Sequence, residues 1–271
     1  MADFFGLVGL GLAVGAFGTL IGAGGGFVLV PVLLILYPQD SPALVTGISL
    51  AVVFFNAASG SVAYARMGRV DFRSGLMFAA ATIPGAVLGA LATSWIPRRT
   101  FDIAFGSLLT LGAGYLFLRP KVPAAPMAKR HAGRLERSLV ERDGTTHTWS
   151  YNPYLGVGIS VFVGFASSLL GIGGGIIHVP VLAQLLDFPV HLATATSHFT
   201  LAIMALVGTL VHLAQGELAP GFGRIAPLAV GVVLGAQIGA ALSQRVKGVW
   251  LMRGLAVALG LVGVRILAAA L

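Results

Sequence analysis

Two apolar stretches of this chain are too long to be a single membrane-crossing helix, and glycine interrupts both of them in the same pattern. The apolar segments fall at about 4–37, 42–65, 74–95, 101–118, 154–186, 191–213, 223–243 and 249–271. Six of these suit single helical spans of about 20 residues at about 1.5 Å rise. The first and the fifth are far longer. Each contains a GxGGG run, Gly22-x-Gly24-Gly25-Gly26 and Gly171-x-Gly173-Gly174-Gly175, and reads as two half-helices with a break between them.

The match extends well beyond the glycines. Val30-Pro31-Val32-Leu33 follows the first run at the spacing at which Val179-Pro180-Val181-Leu182 follows the second. After a one-residue shift, Thr46-Gly47-Ile48-Ser49 meets Thr194-Ala195-Thr196-Ser197, and Gly60 meets Gly208. Further on, Gly85-Ala86-Val87-Leu88-Gly89-Ala90 meets Gly235-Ala236-Gln237-Ile238-Gly239-Ala240. Order and spacing hold over a whole half, which marks an internal duplication. The expected organisation is an N-terminal transmembrane repeat at 1–118, a basic linker at 119–152 and a C-terminal transmembrane repeat at 153–271.

Composition sets the solvent. The chain is 57% hydrophobic and 10% charged, whereas a soluble domain carries roughly 25% charged residues. A surface so poor in charge belongs mostly in lipid, and 38 glycines suit closely packed membrane helices. The net charge of +8 does not signal nucleic acid, because the basic residues cluster in connections, as in cytoplasmic loops. The opening Met1-Ala2-Asp3-Phe4-Phe5 lacks a basic region, so a cleaved signal is not expected. With no cysteine, disulfides and thiolate metal sites are excluded, and no metal or cofactor is expected.

The fold class expected is therefore all-α: a polytopic membrane protein of two homologous four-segment repeats, the first segment of each broken at GxGGG. If that segment crosses the bilayer once, the repeats are parallel. If it re-enters and returns, they are inverted. The distribution of Lys and Arg slightly favours inversion, and either arrangement leaves the 119–152 linker cytoplasmic. That linker reads as a solvated segment with a small hairpin at Asp143-Gly144, a pair suited to a type I′ turn. Arg66, Arg69 and Arg73 read chiefly as topology determinants.

Consecutive glycines weaken a helix and allow backbone angles closed to other residues. The freed peptide groups need partners that lipid cannot supply. Where each half-helix restarts, free amides and the positive dipole end attract anions. Matched breaks in duplicated halves point to a transporter's binding site. The candidate substrate-binding residues are Gly24, Gly25, Gly26 and Phe27 in one half, and Gly173, Gly174, Gly175 and Ile176 in the other. The hydroxyls of Thr46, Ser49, Thr194 and Ser197 join them as donors to an oxyanion, as does Asn56, with Gln237 a weaker candidate. His178 and His198 are the candidates for a coupling proton, since histidine changes charge near neutral pH. Every Asp and Glu falls in a connection or at a span end, so a carboxylate proton relay is not expected.

The duplicated GxGGG-x3-Pro motif, followed by Thr46-x-x-Ser49 and Thr194-x-x-Ser197 in the next spans, resembles the TauE/SafE family of sulfite and organosulfonate exporters. The resemblance covers both transmembrane halves. It implies a carrier of the bacterial inner membrane for sulfur-containing anions or related organic acids, driven by alternating access with a proton or sodium ion as the coupling partner. The partners expected are thus a small anion, a coupling ion and the lipid bilayer. An anion channel using the breaks as a filter is the alternative. An intramembrane enzyme is disfavoured, because adjacent Ser197 and His198 point apart on a helix and no acidic pair or HExxH is present.

Overall fold

A computed structural model describes residues 2–118, 134–246 and 248–270. Ten helices and one β-hairpin account for most of them. In the first half α1 (Ala2–Leu20), α2 (Gly26–Leu36), α3 (Pro42–Arg66), α4 (Phe72–Thr93) and α5 (Arg98–Leu118) follow in order. In the second half come α6 (Pro153–Leu170), α7 (Gly175–Pro180), α8 (Val190–Ala214), α9 (Phe222–Ser243) and α10 (Gly248–Ala270). A π-helical turn, Val181–Leu185, extends α7. Six helices, α3, α4, α5, α6, α8 and α9, are long and apolar enough to cross a membrane.

The packing of one half is repeated by the other, and glycine makes it possible. Gly85 and Gly89 on α4 lie against the backbone of Val161, Phe165 and Leu169 on α6. Gly235 and Gly239 on α9 lie in the same way against Leu12 and Ala16 on α1. Without a Cβ at these places the helix backbones touch, which in lipid replaces the missing hydrophobic drive between helices. Residue numbers rise together along both pairs, so α1 runs parallel to α9 and α6 parallel to α4.

Those directions place the ends of each half. Asp40, just after α2, pairs with Arg224 at the start of α9, and its carbonyl accepts from Arg98 at the start of α5. The α1–α2 unit therefore begins and finishes at the end of the bundle where α5 and α9 begin. At the other end, α6 starts directly after the β-hairpin, and the chain after α7 returns there: Asp187 pairs with Arg134, and Phe188 packs on Trp149 and Tyr151. Both broken segments re-enter, and they do so from opposite ends.

The β-hairpin pairs β1 (Leu135–Val140) with β2 (Thr146–Tyr151). It is docked on the bundle, which departs from the expectation of a solvated linker. Arg137 binds the buried carboxylate of Asp71, the residue capping α4, and Ser74 and Tyr151 complete the cluster. Glu141 joins Arg69 at 2.5 Å and His147 at 2.8 Å. The expected type I′ turn is also corrected. Glu141 and Thr145 close the strands, Gly144 alone in the turn has positive φ, at 88°, and a type I′ turn would need positive φ at Asp143 as well. The basic residues from Lys121 to Arg130 lie outside the described residues.

Candidate functional site

Both re-entrant helices end by the same device. Gly22 has φ of 76°, its N–H bonds the Thr19 carbonyl and the Ala23 N–H reaches back to Gly18. These are the two reversed bonds of a Schellman cap, which need a left-handed residue. Gly171, with φ of 68°, ends α6 in the same manner, the Ile172 N–H reaching Ser167. The chain then doubles back through Gly24 and Gly25 (φ 75° and 83°) or Gly173 and Gly174 (φ 80° and 68°) before α2 or α7 begins.

The two tips cross. A Cβ on Gly26 would lie 2.5 Å from the Gly171 carbonyl oxygen, and one on Gly175 would come closer still to the Gly22 carbonyl. Tertiary partners satisfy the exposed carbonyls, as they must away from water. Asn56 Nδ2 donates to the Gly24 carbonyl at 2.9 Å, and Ser49 Oγ donates to that of Gly171 at 2.6 Å. Each break also packs on the long helix of the opposite half: Gly22 on Thr194 of α8, Gly171 on Thr46 of α3. Thr46, Ser49, Asn56 and Thr194 thus lie against the two breaks at Gly22, Gly24 and Gly171.

What distinguishes this centre is unused hydrogen-bonding capacity. The hydroxyls of Thr46, Ser167, Ser168, Thr194 and Ser197 and the Nδ1 of His198 have no partner among the described residues. All six residues are at most 1% exposed. An orphaned buried polar group costs about 1–3 kcal/mol, and native structures hold few. Six around two backbone breaks form a polar lining without internal partners. Ser197 and His178 share a small cavity with Gly173, Gly174 and Gly175, about 10 Å³ in volume. That is hardly room for one water beside the second break. None of the side chains lining it carries a carboxylate, lysine or arginine.

The histidines occupy different settings. His198 Nε2 lies 3.2 Å from Thr19 Oγ1, which in turn donates to Asn56 Oδ1 at 3.0 Å, linking the ring to the Gly24 carbonyl. His178 Nε2 lies 3.2 Å from Ser160 Oγ, and its ring meets Phe78 edge-on. Other candidates fall away from the centre. The side chains of Phe27 and Ile176 pack into the main apolar core, leaving only their backbone at the breaks. Gln237 bonds Ser59 across α3 and α9 on an exposed face and takes no part.

Thr19, Ser167 and Ser168 also lie at the breaks and are not apparent from identities in the repeat. Thr19 and Ser168 stand three residues before Gly22 and Gly171, so comparing the halves by hydroxyl class instead of identity would have exposed that pair. Tyr64, whose hydroxyl donates to the Thr19 carbonyl at 2.7 Å, leaves no such signal, since only the fold brings it there.

A family model for the sulfite exporter TauE/SafE matches residues 7–266. The chain belongs to the TauE/SafE family. It is 33% identical over 267 residues to the probable membrane transporter protein YunE of Bacillus subtilis, covering 96% of each chain. A probable membrane transporter protein of Xylella fastidiosa is 29% identical over 203 residues, 75% of this chain and 71% of its own. One from Methanocaldococcus jannaschii is 27% identical over 212 residues, 76% of this chain and 71% of its own. No solved structure matches the chain. This TauE/SafE protein is a multi-pass membrane transporter.

Proposed function

We propose that this transporter moves a small oxyanion, sulfite or a sulfonate or related organic acid, by alternating exposure of a site between the two crossed tips. The observation that carries the reading is the set of orphaned hydroxyls on Thr46, Ser167, Ser168, Thr194 and Ser197 around the glycine breaks. Hydroxyls and backbone amides can replace the hydration of an oxyanion without a fixed positive charge, so the ligand can also leave. Membership of a sulfite exporter family supports sulfite and export as the first substrate and direction to test.

The opposed re-entry of the two broken segments supports an inverted repeat. In that architecture a central site is exposed to either side when the two halves exchange conformations. The backbone-to-backbone crossing of the tips at Gly26 and Gly171 and at Gly175 and Gly22 favours a carrier over a channel, since a channel needs a continuous path. His198 is the stronger candidate for a coupling proton, because Thr19 and Asn56 connect its ring to the first break. The 119–152 segment lies on the cytoplasmic side in this reading, in a bacterial inner membrane.

The test is flux in proteoliposomes with sulfite, sulfonates and small carboxylates, under imposed proton or sodium gradients. The proposal expects saturable flux of at least one sulfur oxyanion, driven uphill by one gradient. Flux of none of them, or flux that no gradient can drive uphill, would defeat it.

A further inference from the structure

A second polar cavity lies far from the crossed tips, at the hairpin end of the bundle. It measures about 550 Å³ and is walled by the C-terminal turns of α3 and α9 and by the tip of the β-hairpin. Arg66, Arg69 and Arg142 all line it, together with Gln237 and Gln244. The wall is built and held in place. The Arg142 N–H bonds the Met67 carbonyl at 3.0 Å. Gly68, with φ of 75°, lets the α3–α4 turn lie against Val140 and Arg142.

The charges in this cavity do not cancel among themselves. Glu141 is shared by Arg69 and His147. Asp143 lines the cavity too, but one carboxylate oxygen is held by the Thr145 N–H within the turn. Arg66 and Arg142 are exposed and form no ion pair among the described residues, and Nη1 of Arg69, closed off from solvent, has no acceptor among them. A buried guanidinium nitrogen lacking an acceptor is costly. Three guanidiniums lining one cavity, two from the end of α3 and the turn after it and one from the hairpin, suit an oxyanion, because each can present a fork of N–H donors.

We propose that this cavity is a second anion site, binding one small oxyanion of the sulfate or phosphate type between Arg66, Arg69 and Arg142 at the hairpin mouth of the transporter. The hairpin contributes Arg142 and the carboxylate that positions Arg69, so the site exists only while the hairpin is docked. Its occupant is a free oxyanion or the phosphate of an anionic lipid, since the α3 and α9 ends stand at the membrane surface. The site is independent of which anion crosses the centre.

The test is calorimetric titration of sulfate into the full chain in phosphatidylcholine nanodiscs, repeated with phosphatidylglycerol added. Wild type should bind sulfate, with affinity weakened by added sodium chloride as screening requires. The double variant Arg66→Gln, Arg142→Gln should lose about tenfold or more in affinity, as expected for removing charge-assisted donors. Ser197→Ala, which removes a donor at the centre, should leave the arginine-dependent part of the binding in place. Weaker sulfate binding in phosphatidylglycerol discs would identify the lipid phosphate as a competitor at the site; equal binding in both would identify the free oxyanion as the occupant. Wild-type affinity in the arginine double variant would overturn the proposal, as would absence of sulfate binding to wild type. Binding lost in Ser197→Ala but kept in the arginine variant would overturn this site alone and leave the central one standing.

Discussion

Gly175 and Ser197 test different aspects of the same centre. Alanine at Gly175 drives a methyl group into the Gly22 carbonyl, backbone against backbone with no side chain to yield. Overpacking of that kind costs about 1–3 kcal/mol, so Gly175→Ala should lower the thermal midpoint in detergent and abolish flux. Ser197 and Ser167 make the opposite prediction. Their hydroxyls have no partner to lose, so Ser→Ala at either leaves stability unchanged or raises it by up to about 1 kcal/mol. Flux through the same variants should fall at least about tenfold, the cost of one lost donor to an anion. A variant that keeps full flux would remove that hydroxyl from the site. Ser49 is the control, because its bond to the Gly171 carbonyl is already made, and Ser49→Ala should cost about 1 kcal/mol of stability. At His198, glutamine keeps a polar group beside Thr19 but cannot take up a proton, so the pH dependence of flux should flatten. An unaltered pH profile would rule out the coupling role.

Among the elements, the docked hairpin stands on Asp71. Burial by itself would raise this carboxyl, but bonds from Arg137 and Ser74 outweigh it and hold the group below the ordinary carboxylate range. A depressed native value means that the stabilisation is present above the unfolded value, about 3.9, and is lost as pH falls through the native one. The Asp71 contribution to docking should therefore be constant between about pH 5 and 8 and be lost only in acid. Replacing Arg137 with Gln strands the buried carboxylate, which costs about 3 kcal/mol or more. Limited proteolysis should then cut the 134–151 hairpin much faster, while the helices remain resistant. If the cleavage rate does not change, the ion pair is not what holds the hairpin.

For the whole molecule, the two re-entrant units enter from opposite ends, and Ser49 on α3 and Ser197 on α8 both stand at the second break. Because the chain has no cysteine, each serine can be replaced by the only thiol present. In a carrier that alternates, a membrane-impermeant thiol reagent should reach Ser197→Cys or Ser49→Cys from either side, and an imposed gradient that biases the carrier toward one side should raise labelling from that side while lowering it from the other. Substrate anion should slow both reactions. Labelling from the two sides that rises and falls together, instead of reciprocally, would identify an open channel and end the alternating-access account.

Much of this architecture is written locally in the chain. Segment length and the absence of charge require a membrane, because no water-facing surface could be made from these residues. Gly22 and Gly171 predict the breaks, because a Schellman cap needs the left-handed angle that glycine adopts at least cost. The Asp-Gly pair predicts a hairpin, although local preference alone does not select type I′ over the turn that the docked strands impose. Tertiary structure decided the rest, since each remaining feature depends on residues distant in sequence. Nothing local says that Gly22 packs on Thr194 and Gly171 on Thr46, so that each half completes the other's break. Nor does any local pattern tell the bonded hydroxyl of Ser49 from the orphaned one of Ser197, or place Arg142 beside Arg66. Dihedral preference and solvation act on neighbours along the chain. Partnership, and with it the identity of the groups left free for a ligand, is settled only when the two halves meet.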